Sequence, residues 1–69
     1  MIAVFKTNVF TPEDATQLVN VLKHHYPLSC INFDLHDCDK ILRIDGGDHL
    51  PGEVIRIVNE HGFSCTELE

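Results

Sequence analysis

The sequence contains few basic residues, and they do not cluster. Lysine and arginine number five in 69 residues, against eleven aspartates and glutamates, and the formal net charge is −6 at pH 7. Binding to a nucleic-acid backbone depends on grouped positive charge, so a chain of this charge repels that backbone. The composition therefore predicts no nucleic-acid partner.

Long hydrophobic runs are also missing. No stretch approaches the roughly 20 apolar residues that a membrane span needs. The first residues do not combine a basic segment with a long apolar run, as a secretion signal does. We therefore expect no membrane insertion and a cytoplasmic location.

Cysteine is scarce and odd in number: Cys30, Cys38 and Cys65. Three cysteines cannot all pair within one chain, and without a secretion signal free thiols are the expected state. We expect Cys65 in the core, Cys30 on the open face of a sheet and Cys38 in a turn. The length allows one domain, residues 1–69, and a core this small often needs a metal or a partner subunit for stability.

What the sequence does contain is an ordered change of hydrophobic periodicity. Apolar residues alternate in four segments and follow a helical period in two others, in the order β-α-β-β-α-β. This order predicts an α+β domain with a ferredoxin-like sandwich. We expect a four-stranded antiparallel sheet in the order 4-1-3-2, with both helices on one face. The strand segments are residues 1–7, 30–35, 40–45 and 63–68, and the helical segments are residues 11–25 and 51–61.

Both helices have clear boundary residues. Thr11 suits an N-cap, Pro12 the first helical position, and Asp14 the third, while Pro27 ends the pattern. In the second helix Gly62 suits the left-handed position after the last turn. The residues expected on the buried stripes are Ala15, Leu18, Val19 and Leu22 in the first helix and Val54, Ile57, Val58 and His61 in the second.

The first strand has two possible buried faces. A shift of one residue exchanges the two sets, which are Ile2, Val4 and Lys6 or Ala3, Phe5 and Thr7. If Phe5 lies on the open face, it forms an apolar patch with Cys30 and Ile41 that suits a protein partner or a homodimer. The alternative is an ordinary mixed surface.

Several landmark residues carry a resemblance to a known family. They are the spacing of Val19 and Leu22, the strand end Phe33-Asp34-Leu35, the helix start Pro51 to Ile55, and His61-Gly62-Phe63. With them the chain resembles, over nearly its whole length, the heavy-metal-associated domain. This is the fold of small copper chaperones and of the N-terminal modules of metal-transporting ATPases. The resemblance implies a ferredoxin-like fold and a non-enzymatic binding or metal-handling role.

The chain departs from that family at its metal motif. The family's Gly-Met-x-Cys-x-x-Cys corresponds to residues 8–14, which puts Thr11 and Asp14 where the two cysteines stand. Soft Cu(I) needs thiolate ligands, which neither side chain supplies. The departure argues against metal transfer through this loop, and we expect no cofactor there.

One other segment concentrates possible metal ligands. His36, Asp37, Cys38 and Asp39 supply an imidazole, a thiol and two carboxylates in succession. A closed zinc site takes about four ligands, usually from two separated pairs. A second pair would have to come across space, for instance from Cys30 or His49. The alternative is a solvated turn, which short polar residues favour.

No catalytic pattern is present, because the sequence lacks a nucleophile elbow, a phosphate loop and a metalloprotease helix. We therefore expect a small non-enzymatic binding module that works through the open sheet face or the loop before the first helix. A metal-binding or metal-transport accessory module using His36 and Cys38 is the first alternative. A thiol redox sensor at Cys38 is the second.

Overall fold

The computed structural model describes residues 2–68. Its strands form one antiparallel sheet in the order β2-β3-β1-β4, which is the predicted order 4-1-3-2 read from the other edge. The predicted α+β class and strand order are therefore confirmed, and residues 1 and 69 lie outside the described chain. The elements are β1 (Ile2–Thr7), α1 (Pro12–His25), β2 (Cys30–Asp34), β3 (Ile41–Asp45), α2 (Pro51–Glu60) and β4 (Cys65–Leu68).

The ends of α1 follow from its flanking residues. The Asp14 amide donates to Thr11 Oγ1 at 3.2 Å, so the predicted N-cap is confirmed. Glu13 and Asp14 lie in the first turn, where the helix dipole favours negative charge. The Tyr26 amide donates to the Leu22 carbonyl at 2.8 Å and closes the last turn.

Helix α2 begins without a side-chain cap, at Leu50 and Pro51. After the last helical residue, Glu60, the chain leaves the helix through His61 and Gly62. Gly62 has φ 90°, which is the left-handed conformation predicted for this glycine. His61 is exposed, so its assignment to the buried stripe is wrong. Its Nδ1 lies 2.9 Å from the Ile57 carbonyl oxygen, and the ring therefore caps the last turn.

The buried face of β1 is the set Ala3, Phe5 and Thr7. Phe5 is 0% exposed, so the apolar patch that would have placed it on the open face does not exist. The larger apolar side chain lies in the core, where it removes more apolar area from water than the other set would. Ile41 lies on the face opposite Leu42 and Ile44 but is itself buried.

One core joins the helices to the sheet. α1 packs beside β2 and α2 beside β4, and the side chains of both helices enter the same cluster as alternate strand residues. Cys65 belongs to this cluster, as predicted. Neither helix within residues 2–68 has the length and apolar character to cross a membrane. The largest fully buried side chains are Phe5, Leu18, Leu22, Leu42, Ile44, Ile57, Val9, Val54 and Val58.

Candidate functional site

Two polar side chains of the loop before α1 are engaged in hydrogen bonds within the fold. Thr11 Oγ1 is engaged by the Asp14 amide, and Asn8 Oδ1 accepts from the Ser64 amide at 2.8 Å. Phe10 is exposed, and Lys40 Nζ lies 5.6 Å from its ring centroid. Thr11 and the Asp14 amide therefore form the N-terminal cap of α1.

The segment Leu35–Lys40 is a tight turn, which confirms the predicted turn. Lys40 has φ 47°, donates its amide to the Asp37 carbonyl at 3.0 Å, and donates from Nζ to the Leu35 carbonyl at 3.0 Å. The buried Thr7 ties the turn to β1, because its Oγ1 donates to the Lys40 carbonyl at 2.6 Å and its amide to the Asp39 carbonyl at 3.1 Å. The backbone of the turn is thus held in place from both sides.

Three of the four predicted metal ligands converge on this turn. Ligand atoms of Asp37, Cys38 and Asp39 lie within 4.8 Å of one another. His36 does not belong to this group, and neither do Cys30 and His49, the residues considered for a second pair. The donor set is one short of the about four ligands of a closed zinc site.

The carboxylates of this group already have partners. Asp37 Oδ1 accepts from the Asp39 amide at 2.9 Å, in the local pattern by which Asp stabilises turns. Asp39 Oδ1 lies 3.6 Å from Lys6 Nζ and 4.0 Å from Cys38 Sγ. A cation binding to Asp39 Oδ1 would compete with the Lys6 ammonium.

The open sheet face is mixed. Across the sheet, one row holds Cys30, Asp45 and Ile2, and the next holds Asn32, Arg43, Val4 and Leu68. Ile2 is 53% exposed. The charged residue Asp45 lies in its row, and Arg43 lies in the next, so the apolar side chains are interrupted in both rows. This arrangement is that of an ordinary protein surface rather than a contiguous apolar patch.

An apolar concave surface lies between α1 and β2. We call it the α1–β2 groove. It has a volume of about 320 Å³ and is lined by Pro12, Ala15, Thr16, Val19, Ile31, Asn32, Phe33 and Leu35. The helical lining residues share one stripe because they are three or four positions apart. Val19, which was expected on the buried stripe of α1, is only half-buried.

A second, smaller pocket of about 210 Å³ lies where α1 ends, lined by His25, Tyr26, Pro27, Leu28 and Asp48. The hydroxyl of Tyr26, one of the lining residues, donates to Glu53 Oε1. Burial, followed by the neighbouring Glu53 carboxylate, raises the pKa of Tyr26 to about 12. This tyrosine therefore stays protonated at neutral pH and acts as a structural donor.

His49 lies next to that region and is 5% exposed. Its Nδ1 is 2.9 Å from the Gly46 carbonyl oxygen, so Nδ1 carries a proton and donates it to that carbonyl. Nε2 has no hydrogen-bond partner in residues 2–68. The ring packs edge-on against Tyr26, with centroids 6.4 Å apart. From the sequence, His49 is a candidate only for a second pair of metal ligands supplied across space. Nothing in its local pattern indicates that it is buried.

The three cysteines are free throughout the described chain. Burial raises the pKa of the Cys65 thiol to about 11, which makes it unreactive near neutral pH. Cys30 and Cys38 are exposed, as predicted.

Comparison of the chain with protein-family models, curated proteins and solved structures finds no match in any of the three.

Proposed function

We propose that this chain is a small non-enzymatic protein-binding module and a divergent member of the heavy-metal-associated superfamily without its thiolate pair. The family assignment rests on the sequence resemblance, and the ferredoxin-like sandwich is proposed with it. Support for the sandwich comes from the shared core, in which both helices meet the Phe5 face of the sheet. A cytoplasmic location and the absence of a nucleic-acid partner stay predictions.

The observation that carries the binding proposal is the α1–β2 groove. It is apolar, lies on the surface, and adjoins β2, an edge strand of the sheet. An edge strand presents backbone N–H and C=O groups to which another strand can pair. A groove beside such an edge can take up the side chains of the added strand. This surface is more suited to a protein partner than the mixed open face.

Photo-crosslinking tests this proposal. Thr16 is exposed and lines the groove, whereas Gln17 is exposed on the same helix and does not line it. A photoreactive amino acid at position 16 should give a discrete protein adduct in cells, and the same group at position 17 should give little. Equal labelling from both positions, or none from either, would contradict the proposal.

A metal-binding module is the second candidate, because the ligand atoms of Asp37, Cys38 and Asp39 converge. Native mass spectrometry with Zn²⁺, Cu(I) and Ni²⁺ in turn tests it. One stoichiometric metal ion that is lost in Cys38→Ala but kept in Cys30→Ala would favour this candidate. The binding proposal above predicts no stoichiometric ion in any of the three proteins.

A further inference from the structure

The two edges of the sheet differ in how well they are protected. Edge strands usually carry charges, prolines or bulges that discourage pairing with another chain. The outer strand β4 (Cys65–Leu68) has an exposed Glu67 in its middle. Residues 28–33, which lead into and form most of β2, contain no charged residue and no proline. The first charged residue of β2 is Asp34, which is also the last residue of the strand. The β2 edge is therefore the one open to an added strand.

The sequence of β2 is compatible with pairing to itself. In an antiparallel pair centred on Asn32, Ile31 meets Phe33 of the second copy, and Cys30 meets Asp34 of the second copy. No two like charges face each other in this register. Ile31 and Phe33 also line the α1–β2 groove, so the pairing places apolar side chains of both copies over the two grooves.

The charges of α1 favour the same arrangement. Its first turn carries Glu13 and Asp14, and its last turn carries Lys23, His24 and His25. A two-fold axis through the β2 edge makes the two α1 helices antiparallel. The acidic end of each helix is then directed toward the basic end of the other, whereas a parallel arrangement would bring like ends together.

We infer that two copies of this chain pair antiparallel through β2, so that their α1–β2 grooves face each other across the seam. The resulting sheet is continuous over eight strands, four from each copy. This inference rests on the proposed function, because it names the partner of the same groove. A dimer also supplies the additional buried apolar area that a core from 69 residues lacks.

Analytical ultracentrifugation of the full chain tests the association. From about 1 to about 500 µM, the mass of the wild type should rise toward twice the 7.8 kDa of one chain. Thr16→Lys places a charge in the seam and should raise the dissociation constant roughly tenfold or more. Gln17→Lys adds the same charge to the same helix outside the groove and should not raise the dissociation constant.

Disulfide trapping tests the register. In a Cys38→Ser background, Asp34→Cys should form an intermolecular disulfide with Cys30 of the second copy under mild oxidation. The two positions lie four residues apart in one strand, about 13 Å, so they do not pair within one chain. Thr66→Cys on the opposite sheet edge is the matched control and should not give a crosslinked dimer with Cys30.

A wild type that stays monomeric over this range would overturn the inference. The inference would also be overturned by a dimer whose dissociation constant is unchanged in Thr16→Lys and in which Asp34→Cys forms no disulfide with Cys30 of the second copy. If the chain is monomeric but position 16 still crosslinks to a different protein, the proposed binding function stands and only the second-copy inference fails. If neither self-association nor a position-16 adduct is found, both fail.

Discussion

The hydroxyl of Thr11 caps the N-terminus of α1. We expect Thr11→Ala to lower the free energy of unfolding by about 1 kcal/mol, because the Asp14 amide loses its acceptor. Urea denaturation followed by circular dichroism measures this change. Thr11→Ser keeps the hydroxyl and should stay close to wild type, and Thr16→Ala changes an exposed threonine that does not cap. A Thr11→Ala protein as stable as Thr11→Ser would show that the cap does not contribute.

Two residues make the stability sensitive to alkaline pH. Burial first, and for Tyr26 also Glu53, raises the pKa of Tyr26 to about 12 and that of Cys65 to about 11. Both exceed the ordinary values of roughly 10 for Tyr and roughly 8.5 for Cys. Each group is then more readily ionised in the unfolded chain. Its contribution to stability is complete below the unfolded pKa and is lost as pH rises through the folded pKa.

We therefore expect the free energy of unfolding to decline from about pH 8.5 to about pH 12. Denaturation at closely spaced pH values measures the decline. Cys65→Ala should remove the part that begins near the ordinary cysteine pKa, and Tyr26→Phe the later part. Cys30→Ala, which changes an exposed thiol, is the control. A profile unaffected by Cys65→Ala and Tyr26→Phe would contradict this assignment.

At the scale of elements, the loop between β3 and α2 approaches the loop between α1 and β2 closely at a glycine. Gly47 has φ 72°, and a Cβ placed on it would collide with Ser29 Oγ, which donates to the Gly46 carbonyl at 2.7 Å. Gly62 also has a left-handed φ, of 90°, but has nothing within 4 Å of such a Cβ. The left-handed conformation costs a non-glycine residue about 1–2 kcal/mol.

We expect Gly62→Ala to lose about that amount of stability and Gly47→Ala to lose more, because the collision adds to the conformational cost. Thermal and urea unfolding of the two variants compare them directly. Gly52→Ala, in the first turn of α2 with open space around it, should be neutral or stabilising and serves as the control. Equal losses at positions 47 and 62 would mean that the close approach to Ser29 has no energetic effect.

The helices and strands can be predicted from local sequence patterns, but the face that each one buries can be predicted only in part. Thr11, Pro12 and Gly62 act within a few residues of their own positions, so their roles are readable from sequence. The buried face of β1 was ambiguous because Val4 and Phe5 are both apolar and one alternation fits either. The core selects Phe5 through packing with residues distant in sequence, and no local rule contains that information.

The same limit applies to the candidate sites. The order His36-Asp37-Cys38-Asp39 identified a cluster, but only the fold of the turn shows that three ligand atoms converge and that the fourth does not join them. The α1–β2 groove depends on how α1 and β2 place half-buried residues such as Val19 and Phe33 along the same surface. It is a property of tertiary packing and has no motif.

At the scale of the whole molecule, charge and self-association act against each other. Each chain carries a net charge of −6, which opposes the approach of a second copy. The repulsion acts at a distance and is screened by salt, with a Debye length of about 10 Å at 0.1 M. The strand pairing and the apolar contacts act at short range and are screened much less. Salt also screens the attraction between the ends of the two α1 helices, but the repulsion comes from the net charge of the whole chain. Association through β2 should therefore strengthen as the ionic strength rises from a low value.

Folding and association are then linked, and the melting temperature should depend on protein concentration. A partner that binds only the folded chain stabilises it by mass action, so each tenfold increase in concentration above the dissociation constant should raise the midpoint by roughly 3–6 °C. Differential scanning calorimetry at about 0.1 M and about 0.5 M salt measures the slope, which should begin at lower protein concentration in the higher salt. For Thr16→Lys the rise should begin only at a roughly tenfold higher protein concentration, and Gln17→Lys should follow the wild type. A wild-type midpoint that is independent of concentration, at both salt levels, would show that the folded chain gains nothing from a second copy.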